Sequence, residues 1–152
     1  MKDDGYVQAL KSKAGSRLFQ LVIYLAPGDY HRFHSPVDMR IHKKVPIEGK
    51  CDSVSERTIA KGKPIYEKNG RVVVDGSYSQ GNMTMVMVGA LNVMRIIVTD
   101  EPELKRGDEL GYFNLGSTIV MVVEARGVAE WALQAGQKVK YGEPLFRYHP
   151  VQ

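Results

Sequence analysis

The residue with the most chemical potential in this chain is Ser117, in the stretch Gly111-Tyr112-Phe113-Asn114-Leu115-Gly116-Ser117-Thr118-Ile119-Val120. Glycine at 116 can take φ values closed to other residues, so its carbonyl can face the Ser117 hydroxyl at little steric cost. Once a base removes the hydroxyl proton, that oxygen can attack the preceding carbonyl and convert the amide to an ester. β-Elimination then breaks the ester, and the new N-terminal residue becomes a pyruvoyl group once water displaces its nitrogen as ammonia. The tripeptide Gly-Ser-Thr equally suits a plain turn into a buried strand over Thr118–Val123, and by itself it leaves both readings open.

Bases are available in Asp29-Tyr30-His31-Arg32-Phe33-His34-Ser35-Pro36, which holds two of the four histidines three residues apart. If Asp29 caps one helical turn, both imidazoles share a face and Pro36 ends the turn. Such a pair can be structural, can do acid and base work, or can ligate a metal. A catalytic metal normally takes three protein ligands, and His42 and His149 complete no spaced motif, so no metal is expected. The single cysteine, Cys51, excludes an internal disulfide and is expected to be a partly buried thiol.

The elements that must position these groups read as mainly β, a single domain over 1–152 with a β-sandwich or barrel-sandwich-like core and one or two short helices. Residues 4–14 have one apolar helical face. Leu18–Leu25 is a β-rich run, expected as a buried strand ended by Ala26-Pro27-Gly28. Strands are expected over Met39–His42 and Lys44–Ile47, with Ser53–Gly62 irregular or weakly helical. Asn69-Gly70 predicts a hairpin turn into Arg71–Asp75, with a polar loop over Gly76–Asn82. Asn82–Ala90 and Leu91–Val98 form one strand or two joined at Gly89-Ala90, where glycine signals a bulge or close backbone approach. Met83, Met85 and Met87 alternate and share one face, read as core packing, with contact to an acyl chain as the lesser alternative. Lys105-Arg106-Gly107-Asp108-Glu109-Leu110 and Lys140-Tyr141-Gly142-Glu143-Pro144-Leu145 share the form Lys-x-Gly-acid-x-Leu, each before a strand-like segment. Val128–Leu133 and Gln137–Lys140 complete the expected strands.

The composition is that of a globular protein, with 43% hydrophobic and 25% charged residues. No run of about 18 apolar residues occurs, so any membrane contact is expected to be peripheral. A net charge of +4 and a pI near 9.1 favour anionic partners. The basic residues are scattered and not interleaved with aromatics, which argues against nucleic acid.

Three ordered blocks, Tyr24–Pro36, Val88–Val93 and Gly111–Thr118, resemble the phosphatidylserine decarboxylase family, of mitochondrial or bacterial type, and the similarity runs from about Leu21 to Leu145. The resemblance implies a proenzyme that cuts itself between Gly116 and Ser117 into a β chain 1–116 and an α chain 117–152, whose pyruvoyl cofactor derives from Ser117. It implies that His34 is the base for self-cleavage and that His31 moves a proton during decarboxylation of phosphatidylserine to phosphatidylethanolamine. The pyruvoyl ketone condenses with the substrate amine and withdraws electrons from the bond to the carboxylate. Gly89 and Ala90 are the candidate substrate-binding residues. The implied setting is an anionic membrane surface, the mitochondrial inner membrane or the bacterial cytoplasmic membrane, with homo-oligomerisation left open. The family also uses an aspartate in an upstream Asp-Gly segment. The only such pair before the histidines in this sequence is Asp4-Gly5, closer than the family spacing, and the family's N-terminal membrane-associating region is expected to have no counterpart here. A processing-deficient homologue that binds anionic phospholipid is therefore the alternative function.

Overall fold

Alternating β-branched and methionine side chains favour strands, and the computed structural model describes residues 15–91, 95–126 and 128–149. The expected helix over residues 4–14 lies outside them, as does Asp4. In chain order the strands are β1 (Arg17–Tyr24), β2 (Arg32–His34), β3 (Met39–Ile47), β4 (Arg71–Tyr78), β5 (Gly81–Val88), β6 (Ile96–Val98), β7 (Glu103–Leu104), β8 (Glu109–Phe113), β9 (Thr118–Ala125), β10 (Val128–Trp131) and β11 (Phe146–His149). Two short helices, α1 (Glu56–Ile59) and α2 (Ile65–Lys68), lie between β3 and β4. None of the described helices is long and apolar enough to cross a membrane.

The fold is mainly β, as expected, and every pair of named strands is antiparallel. One sheet has the order β1-β9-β5-β4-β3-β7, a second β2-β8-β6, and β10 pairs with β11. Because side chains alternate along a strand, the register of the large sheet sorts its residues into two apolar faces. Leu21, Met121, Met85 and Val74 are successive cross-strand neighbours on the inner face. Met83, Met85 and Met87 are at most 2% exposed, so the methionines are core, each contributing about 2 kcal/mol of apolar burial. Phe33, Leu110 and Phe113 from the small sheet join them in one cluster, with the two phenylalanine rings 5.2 Å apart. On the other face Val22, Val120, Val86, Val73 and Val45 form an unbroken row across five strands.

Several local expectations are corrected by long-range contacts. Leu18–Leu25 was expected as a buried strand, but β1 is an edge strand whose outer side chains Val22 and Tyr24 are exposed. Met39–Ile47 is one strand, with the register slipping at His42. Asn69-Gly70 is not a hairpin turn. Ile47 pairs with Arg71, so residues 48–70 and both helices form the connection. Asn69 caps α2, its amide donating to the Ile65 carbonyl at 2.9 Å. The tight turn is instead Ser79-Gln80, since Tyr78 pairs with Gly81 and the predicted polar loop over 76–82 is mostly strand. Gly89 ends β5 rather than bulging within a long strand, and its amide donates to the Gly70 carbonyl at 2.7 Å, the close backbone approach anticipated there. Gln137–Lys140 is not a strand, and Cys51 is exposed rather than partly buried.

The two Lys-x-Gly-acid-x-Leu segments form the same turn. Asp108 accepts from the Lys105 amide at 2.8 Å, and Glu143 accepts from the Lys140 amide at 2.9 Å. The return bonds, Asp108 amide to Lys105 carbonyl and Glu143 amide to Lys140 carbonyl, measure 3.0 and 3.1 Å. Gly107 and Gly142 both have positive φ, 94° and 85°, which is why each copy carries glycine there.

At the far end of β9, the buried Glu124 carboxylate accepts from the Ser16 hydroxyl at 2.5 Å and from the Asn82 amide at 2.7 Å. Its carbonyl accepts from the Tyr78 hydroxyl at 2.6 Å. Burial, aided by the Glu124 charge, pushes the Tyr78 phenol from 10.0 up to about 12. Between those two values the unfolded chain ionises Tyr78 while the folded chain cannot, so stability is lost as pH rises through that window. Tyr78→Phe is expected to flatten part of this alkaline decline. Unfolding midpoints measured against pH check it, and parallel curves for the two proteins would contradict it.

Candidate active site

The Gly116–Ser117 junction lies where the ends of β1, β5 and β9 meet. Leu25, just past β1, donates its amide to the Ser117 carbonyl at 2.7 Å and so extends the β1–β9 ladder by one step. Ser117 is fully buried, and its hydroxyl donates to the carbonyl of Val88, the last residue of β5. Gly116 is needed for space and not for an unusual φ. A Cβ there would collide with the Leu25 carbonyl oxygen and lie 2.9 Å from the Ala26 carbonyl group. The Thr118 hydroxyl is buried with no hydrogen-bond partner among the described residues. Such groups are uncommon and costly in a β interior.

Gly89 and Ala90 follow Val88 directly, and Ala90 is 4% exposed. The Asn69 side-chain amide, fully buried, donates to the Gly89 carbonyl at 2.7 Å and to the Asp52 carbonyl at 2.8 Å. Its oxygen accepts from the Asp52 amide at 3.2 Å. The backbone that receives the Ser117 proton is thus held from behind by a side chain that sequence reasoning assigned to a turn.

The histidines do not share a helical face. Ala26-Pro27-Gly28-Asp29 is a tight turn, in which Asp29 accepts from the Ala26 amide at 2.8 Å and returns its own amide to the Ala26 carbonyl at 2.9 Å. Asp29 therefore closes a turn behind itself and starts no helix, and the chain continues as β2, paired with β8. His31 precedes β2 and His34 is its last residue, and the two rings bind different carbonyls, those of Ala26 and Gly107. His31 Nε2 donates to the Ala26 carbonyl at 3.0 Å, the same carbonyl that packs on Gly116. A carbonyl only accepts, so this nitrogen carries a proton. His31 also anchors its strand, its carbonyl accepting from the Phe113 amide at 3.0 Å.

His34 is held the other way round. Its Nδ1 lies 2.9 Å from the Gly107 carbonyl, which requires Nδ1–H, and its Nε2 accepts from the Tyr30 hydroxyl at 2.9 Å. The Tyr30 ring stacks at 5.8 Å on one side, and Tyr141 packs at 4.4 Å. No described hydrogen bond joins the Ser117 hydroxyl to either imidazole, since each of the three groups is engaged by a neighbour. Tyr30 and Tyr141 were not singled out from the sequence, although Tyr30 sits in the histidine block and Tyr141 in the second glycine-acid turn. Around them, Arg32 makes a two-pronged contact with Glu109 at 2.5 and 2.6 Å, which holds the guanidinium pKa above its usual range. The Arg106 amide at 2.9 Å and nearby Lys105 hold the Asp38 carboxylate below its usual range, and this contact pins the turn that carries Gly107.

A mainly β core of antiparallel sheets, holding a Gly-Ser junction whose serine is buried and whose glycine packs on the carbonyl that His31 binds, defines the class of this protein. The family model for phosphatidylserine decarboxylase matches residues 2–147. The chain is 34% identical over 170 residues to the mitochondrial phosphatidylserine decarboxylase proenzyme of Cricetulus griseus, covering 93% of this chain and 42% of the relative. It is 36% identical to the mitochondrial proenzyme 2 of Schizosaccharomyces pombe, covering 88% and 32%, and 38% identical to the proenzyme of Bacillus subtilis, covering 81% and 48%. No solved structure matches. The chain belongs to the phosphatidylserine decarboxylase family. It spans less than half the length of these curated relatives.

Proposed function

We propose that this chain carries a self-processing centre that divides it between Gly116 and Ser117, and that the divided protein decarboxylates phosphatidylserine to phosphatidylethanolamine. The observation that carries this reading is the enclosure of the junction. Ser117 is fully buried with its carbonyl fixed by the Leu25 amide, and Gly116 is pressed against Leu25 and Ala26 so closely that no larger residue fits. Holding a nucleophile next to its electrophile in this way supplies orientation that a free peptide lacks.

The proton that leaves Ser117 is the one now donated to the Val88 carbonyl. His34 is the proposed base. Its Nε2 lone pair is occupied by the Tyr30 hydroxyl, so the ring must exchange that partner to act on Ser117. As the Ser117 oxygen bonds to the Gly116 carbonyl carbon, the Gly116–Ser117 amide bond breaks and its nitrogen takes a proton. Elimination across Cα–Cβ of residue 117 then removes the Cα proton and releases the Gly116 carboxylate, and the resulting dehydroalanine, as its imine tautomer, is hydrolysed by water to the pyruvoyl N-terminus with loss of ammonia. The buried Thr118 hydroxyl, next in the chain and unpartnered among the described residues, is a donor available to such a group. A pyruvoyl group supplies an electron sink for the electrons released as carbon dioxide leaves. His31, protonated on Nε2 beside Gly116, is the proposed proton donor to the product carbon, a role worth about 10² to 10⁴-fold. The basic balance of the chain, pI near 9.1, suits an anionic membrane surface as the source of substrate.

Mass spectrometry of freshly purified, denatured protein tests the reading. The expected result is two fragments, 1–116 and 117–152, the second lacking an N-terminal amine. Phosphatidylserine vesicles should then yield phosphatidylethanolamine and carbon dioxide. Since β9 of the second fragment lies between β1 and β5 of the first, the two are expected to elute together until denatured. A chain that keeps its full mass and releases no carbon dioxide would overturn the proposal.

A further inference from the structure

Two turns of the same sequence form, 35 residues apart by number, meet at one imidazole. The first, Lys105–Asp108, presents the Gly107 carbonyl to His34 Nδ1 at 2.9 Å. The second, Lys140–Glu143, places the Tyr141 ring 4.4 Å from the His34 ring, with its hydroxyl 3.5 Å from both Nδ1 and the Gly107 carbonyl. Tyr141 also packs at 5.6 Å against Tyr30, whose hydroxyl occupies Nε2. Tyr141 is 63% exposed, so apolar burial does not explain why this ring sits here. Its contacts are with the histidine and with the two groups that fix the histidine's tautomer.

From this convergence we infer that Tyr141 is a positioning residue for His34, clamping the imidazole against the Gly107 carbonyl so that Nδ1 keeps the proton and Nε2 presents the lone pair. The inference rests on the proposed reading of His34 as the self-processing base. In that reading Gly107 and His34 belong to fragment 1–116 and Tyr141 to fragment 117–152, so the clamp joins the two products. The Gly107 carbonyl does here what an orienting carboxylate does in a serine-protease triad, where the wrong tautomer costs about 10⁴. The ring carries more of the clamp than the hydroxyl. At 3.5 Å the hydroxyl contacts are at the limit of a hydrogen bond, whereas 4.4 Å is close packing for two rings.

The test uses the full chain and its variants Tyr141→Leu, Tyr141→Phe and His34→Ala. The rate of division at 116/117 is followed by pulse-chase with denaturing electrophoresis, and the His34 tautomer by nitrogen-15 NMR at a pH where the ring is neutral. The parent is expected to show the Nδ1–H form alone, and Tyr141→Leu a mixture of tautomers with division slowed about tenfold, a fraction of the whole worth of an acid-base group. Tyr141→Phe, which keeps the ring, is expected to restore the single tautomer and a rate within about twofold of the parent. A Tyr141→Leu protein with the parental tautomer and rate overturns the inference even where His34→Ala abolishes division. If His34→Ala divides at the parental rate, the base reading fails, and the tautomer of Tyr141→Leu still decides whether Tyr141 positions the ring.

Discussion

Replacing Ser117 with alanine is expected to leave a chain of 152 residues that never divides, yet folds almost as well as the parent. The two effects separate because the hydroxyl has two jobs of different size. As a structural group it donates one buried hydrogen bond, to the Val88 carbonyl. Losing it removes a contact worth about 1 kcal/mol net. The alanine methyl fills the same space, and the Leu25 amide still reaches the residue 117 carbonyl because that bond is backbone to backbone. As a nucleophile the hydroxyl is irreplaceable, and removing a catalytic serine costs on the order of 10⁶ in rate in subtilisin. Denaturing mass spectrometry and urea unfolding, done on one preparation, check both parts. Division persisting in Ser117→Ala would remove Ser117 from the chemistry. A loss of several kcal/mol would show that the hydroxyl has a larger structural role than one bond.

The largest stability effect is expected away from the chemistry, at Asn69. Asn69→Ala is expected to lower stability by about 3 kcal/mol, since each buried polar group left unpaired costs about 1 to 3 kcal/mol. The side chain is fully buried and joins the Asp52 peptide to the Gly89 carbonyl. Truncation strands two acceptors and one donor, of which the Gly89 carbonyl is the buried one. Asn69→Asp is expected to be worse, because a carboxylate would replace the amide that donates to two carbonyl oxygens. A lower urea midpoint with unchanged slope is the expected signature. Since Gly89 follows the carbonyl that receives the Ser117 proton, slower division should accompany the lost stability. An Asn69→Ala protein as stable as the parent would mean that the loop 48–70 does not hold this backbone in place.

Much of this molecule was legible from residue types taken a few at a time. The alternation at Met83, Met85 and Met87 identified the inner face of β5 before any partner strand was known, because a period of two allows only one assignment to a half-buried strand. The glycine-acid turns were legible for a similar reason. A positive φ and a side chain capping its own backbone are local demands, met within the four residues of each turn. Asn69-Gly70 misled because the same dipeptide that suits a hairpin also suits a helix cap. The choice was made by the Gly89 carbonyl, twenty positions along the chain. The histidine block misled likewise, since three-residue spacing implies a shared face only in a helix, and pairing with β8 made it a strand.

What the sequence alone determined was therefore the chemistry on offer and the family to which the chain belongs: a serine behind a glycine, two imidazoles, and a β scaffold to hold them. Only the tertiary structure decided what each group touches. Gly116 was expected for its dihedral freedom and is required by the Leu25 and Ala26 carbonyls packed against it. The two histidines, three apart in the chain, take opposite tautomers because one meets the Ala26 carbonyl through Nε2 and the other the Gly107 carbonyl through Nδ1. Backbone carbonyls carry no signature in the residue alphabet. A site fixed largely by them becomes visible only when distant strands have been brought into register.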